Sequence, residues 1–145
     1  ALLCDLTIAA DTAKIADPHV LVGISAGDGG SFIWPQHIGF AQAKWFLLTG
    51  EAVSAPEAVQ MGLINKAVPM EQLDDTVYEL ADRLASGPTL ALNATKRSIN
   101  MLLRRQVEGV IEAHLGLEML SQMSQDHKAA VRAFVNKAKP TFEGK

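Results

Sequence analysis

Helical spacing of apolar residues governs the chain beyond Pro69 and leaves strands to the first 69 residues. In the first helical segment the apolar side chains recur every three or four positions, at Leu73, Val77, Leu80 and Leu84. Three further helices are predicted, over Thr89–Leu103, Val107–Met123 and Asp126–Lys137, the last capped by Ser124 or Asp126. This order of elements predicts a mixed α/β chain whose second half is almost entirely helical.

Strand-like patterns flank a strong helix-start signal in the first half of the chain. Leu2–Ala10 alternates apolar and polar residues and predicts a half-buried strand, and Leu63–Val68 predicts a second strand. Between them, Ser54 and Glu57 stand at the spacing of a capping box, with a proline in the first turn. A helix is therefore predicted to begin at Ser54 and to end at Gly62.

Composition and charge limit the classes of function that the chain can have. The chain has 145 residues, of which 48% are apolar and 20% charged, enough for one domain with its own core, and its net charge of −3 offers no basic surface for nucleic acid. The single cysteine, Cys4, forms no internal disulfide, and no window is apolar enough to cross a membrane. We expect a cytoplasmic or organelle-matrix protein. Because the chain opens on apolar Ala1–Leu3, we also expect further sequence upstream.

A glycine-rich turn precedes the next predicted helix. Gly27, Gly29 and Gly30 surround Asp28, and the apolar run that follows is typical of a loop that enters a helix N-terminus. The amide groups there are candidate donors to an acyl thioester oxygen, which makes the three glycines candidate substrate-binding residues. The alternative is that they only permit positive φ angles. Two short helices are predicted to follow, over Gly29–His37 and Ala41–Leu48, separated at Gly39.

His19 and Asp28 are the candidate catalytic residues. His19 follows an Asp-Pro break and precedes the apolar run Val20–Val22, which is predicted to point into the core. A loop of nine residues can bring the Asp28 carboxylate onto a ring nitrogen, where it would select the tautomer and raise the basicity of the ring. The alternative is that Asp28 merely caps the next helix and His19 is a boundary histidine.

The remaining aromatic and histidine side chains carry weaker signals. Trp34 is a candidate acyl-pocket residue, although a core position is the commoner one for an aromatic on a helix. His37 is predicted to lie at a helix end. His114 and His127 have no carboxylate or cysteine at metal-ligand spacing, so we predict structural or solvent-facing roles for both and no metal site.

Four segments of the sequence resemble the crotonase (enoyl-CoA hydratase/isomerase) superfamily. The most specific is Leu48–Pro69, LTGEAVSAPEAVQMGLINKAVP. Ala1–Ala10 is similar to the family strand that follows the oxyanion-hole glycines, Gly87-Pro88 matches the start of a family helix, and Ser124–Gly144 matches the family's end. The resemblance covers the entire chain and implies the last strands of a crotonase-like (ClpP/crotonase) α/β fold followed by helices.

The resemblance also implies a chemistry and an assembly. It implies an acyl-CoA thioester substrate, an enolate stabilised in an oxyanion hole, no cofactor beyond the coenzyme A of the substrate, and a homotrimer or hexamer. Residues 1–69 would then complete the core with the acyl-site loop, and residues 70–145 would form the trimerisation and site-closing region. Lys137 and Lys139 in the tail are predicted to reach the coenzyme A phosphates, unless they are simply solvated.

This chain departs from the family pattern at its two candidate catalytic residues. Typical hydratases carry a catalytic glutamate at the position of His19 and a small residue at the position of Asp28. A histidine and an aspartate here resemble the crotonase-fold hydrolases that cleave carbon–carbon bonds of β-diketones, and aryl-CoA dehalogenases place a nucleophilic aspartate near this turn. By the same resemblance, the oxyanion-hole amides and a second catalytic glutamate lie on segments before Ala1, so the chain alone is expected to hold part of the site.

Three functions follow from these observations. The leading one is an enoyl-CoA hydratase or isomerase, a lyase-type enzyme in which His19, supported by Asp28, moves a proton or activates water. The second is hydrolysis of a carbon–carbon bond in a β-dicarbonyl compound by the same dyad. The third, of another class, is a non-catalytic crotonase-fold subunit that serves in assembly or binding, against which the complementary pair argues.

Overall fold

The computed structural model describes all residues from 1 to 145. The strands are β1 (Ile8–Ala10), β2 (Lys14–Ile15), β3 (Val53–Ser54) and β4 (Lys66–Val68). The helices are α1 (Gly30–Thr49), α2 (Ala55–Gln60), α3 (Leu73–Ala85), α4 (Thr89–Glu108), α5 (Ile111–Gln122) and α6 (Gln125–Val135), with 3₁₀ turns at His19–Val22 and Met70–Gln72. The predicted α/β content with a helical second half is confirmed.

Residue contacts divide the chain into two compact units. The first comprises Ala1–Ile15 with Val53–Gly109, and the second comprises Ala16–Ala52 with Val110–Lys145. These units cut across the predicted boundary between residues 69 and 70, and the functional roles assigned to the two sides of that boundary stay predictions. Each unit is described by itself below.

The first unit contains both small sheets. β1 pairs with β4 in parallel, with Ala9 opposite Ala67, and β2 pairs with β3 antiparallel. The core beneath them consists of small and branched apolar side chains that are at most 7% exposed: Val53, Ala55, Ala58, Leu63, Ile64 and Val68. Burial of this set across the α2 segment joins the two sheets into one packed layer.

The predicted capping box starts α2. The Ser54 hydroxyl accepts a hydrogen bond from the Glu57 amide (3.4 Å), and the Glu57 carboxylate accepts one from the Ser54 amide (3.1 Å). The Ser54 hydroxyl also donates a 2.5 Å hydrogen bond to the Glu57 carboxylate, and this bond together with the one from the Ser54 amide lowers the pKa of the Glu57 carboxyl. Two backbone groups of the helix start are thereby satisfied reciprocally, and the helix begins where the sequence predicts.

The predicted strand over Leu2–Ala10 is wrong for its first six residues, Leu2–Thr7. Only Ile8–Ala10 is a strand, because β4 provides partners for those three residues alone. Before them the carbonyl oxygen of Ala1 accepts hydrogen bonds from the Cys4 amide and the Thr7 hydroxyl, which closes a turn. The apolar pattern therefore extends beyond the length that has a neighbouring strand to pair with.

The second unit is built on α1, which bends where a glycine interrupts it. Gly39 takes a non-helical conformation (φ 74°, ψ 165°) and separates the two helices that the sequence predicts. The aromatic ring of Trp34 packs against that of Phe46 with ring centroids 5.7 Å apart. The core of this unit also contains Phe32, Ile33, Ala43, Leu47, Ala130 and Ala133.

Two further predictions in the second unit are corrected. Val20–Val22 does not point into the core: it lies in the 3₁₀ turn, where Leu21 is 52% and Val22 40% exposed. A turn of three residues per revolution cannot place consecutive side chains on one buried face. The helix predicted over Val107–Met123 begins instead at Ile111, because α4 runs on past Leu103 to Glu108 and ends at Gly109.

At α6 the structure decides between the two candidate caps. The Ser124 hydroxyl accepts a hydrogen bond from the His127 amide at 3.0 Å. The Asp126 carboxylate instead accepts hydrogen bonds from the amides of Glu143 (2.7 Å) and Gly144 (2.8 Å). Ser124 is therefore the cap, and Asp126 holds the last residues of the chain against the start of α6.

Candidate active site

His19 opens the 3₁₀ turn, and its side chain is held by the aspartate two residues before it. The ring nitrogen Nδ1 lies 2.5 Å from Oδ1 of Asp17, and the same oxygen accepts a 3.4 Å hydrogen bond from the His19 amide. Asp17 is only 9% exposed. A side chain on Gly30 would collide with its other carboxylate oxygen, so the missing side chain at that glycine makes room for Asp17.

The Asp17 contact occupies Nδ1 and leaves the second ring nitrogen, Nε2, as the candidate proton acceptor. A carboxylate on Nδ1 fixes the tautomer in which Nδ1 carries the hydrogen, so Nε2 has a free lone pair. The His19 side chain is 28% exposed. A fixed tautomer and partial exposure are features that a general base requires, and the catalytic role of His19 stays a prediction.

Asp28 lies on the opposite side of the ring from Asp17. Its Oδ2 is 3.7 Å from Nε2 of His19, which is beyond hydrogen-bond distance, and its side chain is 57% exposed. The loop does bring the Asp28 carboxylate beside a ring nitrogen, as predicted, but the hydrogen bond that fixes the tautomer comes from Asp17, two residues before His19. The alternative that Asp28 caps α1 is wrong: the cap position is Gly29, and no side chain caps this helix start.

Three carboxylates set the protonation of His19. Partial burial disfavours the charged ring, but the hydrogen bond and charge of Asp17, together with the charges of Asp28 and Glu118, outweigh burial. The pKa of His19 is consequently raised above its ordinary value of 6.5.

Glu118 is the residue that sequence patterns missed. It lies on α5, and one of its carboxylate oxygens, one Asp28 oxygen and a ring nitrogen of His19 lie within 4.8 Å of one another. No local sequence pattern indicates a role for Glu118, because it lies ninety-nine positions after His19 on a helix without a recognisable motif. These three groups could also ligate one cation, so the predicted absence of a metal site stays a prediction.

The three glycines of the turn differ in what surrounds them. A side chain at Gly27 would collide with the backbone carbonyl of His114 and approach Cβ of Glu118 to 2.7 Å, so this glycine lets the loop lie directly on α5. Gly30 faces Asp17, whereas Gly29 has open space around it. None of the three has a φ in the left-handed region, so the alternative based on positive φ is wrong. Their predicted contact with substrate stays a prediction, for which Gly29 alone offers space.

Trp34, Lys137 and Lys139 are the remaining predicted site residues. Trp34 is 3% exposed within the core, and its predicted contact with an acyl chain stays a prediction. Lys137 and Lys139 are exposed and follow the end of α6, with no contact that bears on phosphate binding. His127 has a structural role, because its Nδ1 lies 2.8 Å from the carbonyl oxygen of Val22.

Comparison with known proteins identifies relatives of the whole chain. Residues 1–145 match the family model described as enoyl-CoA hydratase/isomerase. The chain is 34% identical over 145 residues to a crotonyl-CoA hydratase of Syntrophomonas wolfei, covering 100% of this chain and 56% of that relative. It is 31% identical over 134 residues to a short-chain-enoyl-CoA hydratase of Clostridioides difficile, covering 92% of this chain and 86% of that relative.

A solved structure agrees with the sequence comparison. The structure of a carnitinyl-CoA hydratase from Mycobacterium avium superposes with a TM-score of 0.92 at 29% identity, covering 99% of this chain and 56% of that one. The chain thus spans about half the length of the first relatives it matches. The match of the family model over every residue places this chain in the enoyl-CoA hydratase/isomerase family, with the crotonase fold that the sequence predicts.

Proposed function

We propose that this protein adds water to an enoyl-CoA thioester, or isomerises one, with His19 as its acid–base residue. The observation that carries the proposal is the placement of the imidazole: Asp17 holds Nδ1, Nε2 lies beyond hydrogen-bond distance of Asp28, and the side chain is 28% exposed. Relatives named as hydratases of crotonyl-CoA and short-chain enoyl-CoA support the substrate class. None of the relatives reported above is named for carbon–carbon hydrolysis of a β-dicarbonyl.

In hydration, the neutral imidazole of His19 accepts a proton from water at Nε2 as the water oxygen bonds to the β-carbon. The π electrons of the carbon–carbon double bond move toward the thioester, whose oxygen becomes the enolate oxygen. His19 then returns the proton to the α-carbon, so that one water has added across the double bond. Backbone donors around the enolate oxygen supply most of the rate in such reactions. Gly29, which precedes α1 and has open space around it, is a place near this turn where a substrate can approach the backbone.

The experiment replaces His19 with alanine in the full-length protein and measures hydration of crotonyl-CoA. We expect turnover to fall by roughly 10²-fold or more, the usual contribution of a positioned general base. The control is Gln42→Ala, which removes an exposed polar side chain on α1 and should leave turnover within about twofold. Turnover that survives His19→Ala within a few-fold would remove His19 from the mechanism. Cleavage of a cyclic β-diketone without hydration would establish the alternative reaction.

We also propose that the protein assembles as a homotrimer or hexamer through the region around α5. Several large apolar side chains of α5 are 44–68% exposed, namely Leu115, Leu117, Met119 and Leu120. Lys137 and Lys139 are proposed to reach coenzyme A phosphates in that assembly. Light scattering on the full-length protein should give three or six protomers, and a monomer at micromolar concentration would contradict the proposal.

No helix of this chain is both long and apolar enough to span a membrane. A location in the cytoplasm or an organelle matrix, inferred from the free cysteine, stays part of this proposal.

A further inference from the structure

Glu118 is brought to His19 by close packing between the glycine-rich loop and α5. Gly27 lies against the backbone of His114, and the amide of Ser25 donates a 2.9 Å hydrogen bond to the Ser121 hydroxyl. These contacts stand on either side of Glu118 along the helix. They fix where its carboxylate lies relative to the loop that carries His19.

One oxygen of the Glu118 carboxylate has no hydrogen-bond partner in the protein. Oε1 accepts a hydrogen bond from the Gln122 side chain at 3.3 Å, whereas Oε2 is buried and unpaired. The hydroxyl of Ser25 and Nδ1 of His114, on the two segments that pack together here, are also buried and unpaired. Buried polar atoms almost always have a partner, so these unpaired atoms on facing segments are positions where water can bind.

The spacing of the charged groups suits a water molecule between them. A ring nitrogen of His19 and oxygens of Asp28 and Glu118 lie within 4.8 Å of one another, and Nε2 of His19 is 3.7 Å from Oδ2 of Asp28. Such distances exceed a direct hydrogen bond, whereas a water bridging two groups lies about 2.8 Å from each. A water has two hydrogens to donate, and the site offers Nε2 and a carboxylate to accept them.

We propose that Glu118 orients the water that His19 deprotonates. The Glu118 carboxylate accepts a hydrogen bond from the second hydrogen of that water. This inference rests on the proposed function. Glu118 is favoured over Asp28 because it is anchored by Gln122 and partly buried, whereas the Asp28 side chain is 57% exposed and screened by solvent. The proton goes to Nε2 of His19, and Glu118 stays ionised throughout.

The protonation of His19 is consistent with this arrangement. The charged groups that face the ring are Asp17 from the same loop, Asp28 from the glycine-rich turn and Glu118 from α5, and each raises the pKa of His19. Loss of the Glu118 charge should therefore lower that pKa while leaving the Asp17 contact in place.

The test uses two replacements of Glu118 in the full-length protein. Glu118→Leu removes the acceptor at similar size, and we expect kcat for crotonyl-CoA hydration to fall about tenfold or more with KM within about twofold, since a hydrogen bond to a charged group is lost. Glu118→Gln keeps an acceptor oxygen but removes the charge, and we expect a smaller loss of kcat with the acid limb of the pH–rate profile moved to lower pH. Glu112→Gln, at an exposed position in the first turn of the same helix, is the matched control and should change neither quantity.

An NMR titration of His19 in Glu118→Gln gives a readout that does not depend on turnover or on the stability of the leucine variant. A lowered midpoint supports the proposal, and a midpoint equal to that of the wild type overturns it. A Glu118→Leu protein with kcat within twofold of wild type, alongside a His19→Ala protein that is inactive, overturns the role of Glu118 alone. Unchanged turnover in His19→Ala overturns the proposed function instead.

Discussion

The α2 segment of the first unit and the His19 loop of the second differ in where their hydrogen-bond partners lie along the chain. At α2, Ser54 and Glu57 satisfy each other from three residues apart. In the loop that carries His19, Ser25 bonds to Ser121 from α5. A helix start can therefore be assembled from its own neighbours, whereas the candidate site takes its shape from a helix about a hundred residues further on.

The largest effect on the free energy of unfolding is expected where the glycine-rich turn packs on α5. Gly27→Ala places a methyl group against the backbone carbonyl of His114, which cannot move without shifting the helix. We expect a loss of about 1–3 kcal/mol in the free energy of unfolding, measured by urea denaturation, together with reduced turnover because Glu118 moves with α5.

The matched control for this change is Gly116→Ala on the same helix, where a new methyl group meets open space. Alanine favours a helix interior over glycine, so this variant should gain roughly 0.5–1 kcal/mol. Equal effects of the two substitutions would show that the loop does not depend on close contact with α5.

A smaller effect is expected at the helix start that is local in sequence. Ser54→Ala removes the cap of α2 and should cost about 1 kcal/mol of unfolding free energy, with turnover nearly unchanged. The same substitution at Ser98, whose hydroxyl bonds only to the preceding turn of α4, should be neutral or slightly stabilising. A loss of activity in Ser54→Ala comparable to that in Gly27→Ala would contradict the contrast between the two regions.

The elements of the fold that could be predicted from sequence are those whose causes are local. The capping box, the helical spacing of Leu73–Ala85, the break at Gly39 and the cap at Ser124 all depend on residues within a turn of each other. The prediction of a strand over the whole of Leu2–Ala10 is wrong because strand length is set by the partner strand. That partner is β4, whose residues pair with residues fifty-eight positions earlier in the sequence.

The candidate site shows the same division. His19 and its glycine-rich turn could be recognised in the sequence, and Asp17 stood close enough to be found, since an aspartate two residues before a histidine can bond both its amide and its ring. Glu118 could not be found in this way, because its place beside His19 depends on how the loop packs on α5. Spacing alone favoured Asp28, whose side chain is in fact largely exposed.

The protonation of His19 also links the site to stability. Because its pKa is raised in the folded protein, the charged ring with Asp17, Asp28 and Glu118 stabilises the fold fully below pH 6.5. That contribution is lost as the pH rises through the folded-state pKa. Catalysis by the neutral ring requires the opposite protonation state, so activity and this part of the stability should change in opposite directions with pH.

The most direct test of the account is an NMR titration of the His19 ring in the wild-type full-length protein and in Asp17→Asn. The account predicts a wild-type midpoint above 6.5 that falls in Asp17→Asn, because the variant loses both the charged hydrogen-bond acceptor and its negative charge. A wild-type midpoint at or below 6.5, or one that Asp17→Asn leaves unchanged, would contradict the claim that Asp17 positions His19 as the acid–base residue of this site.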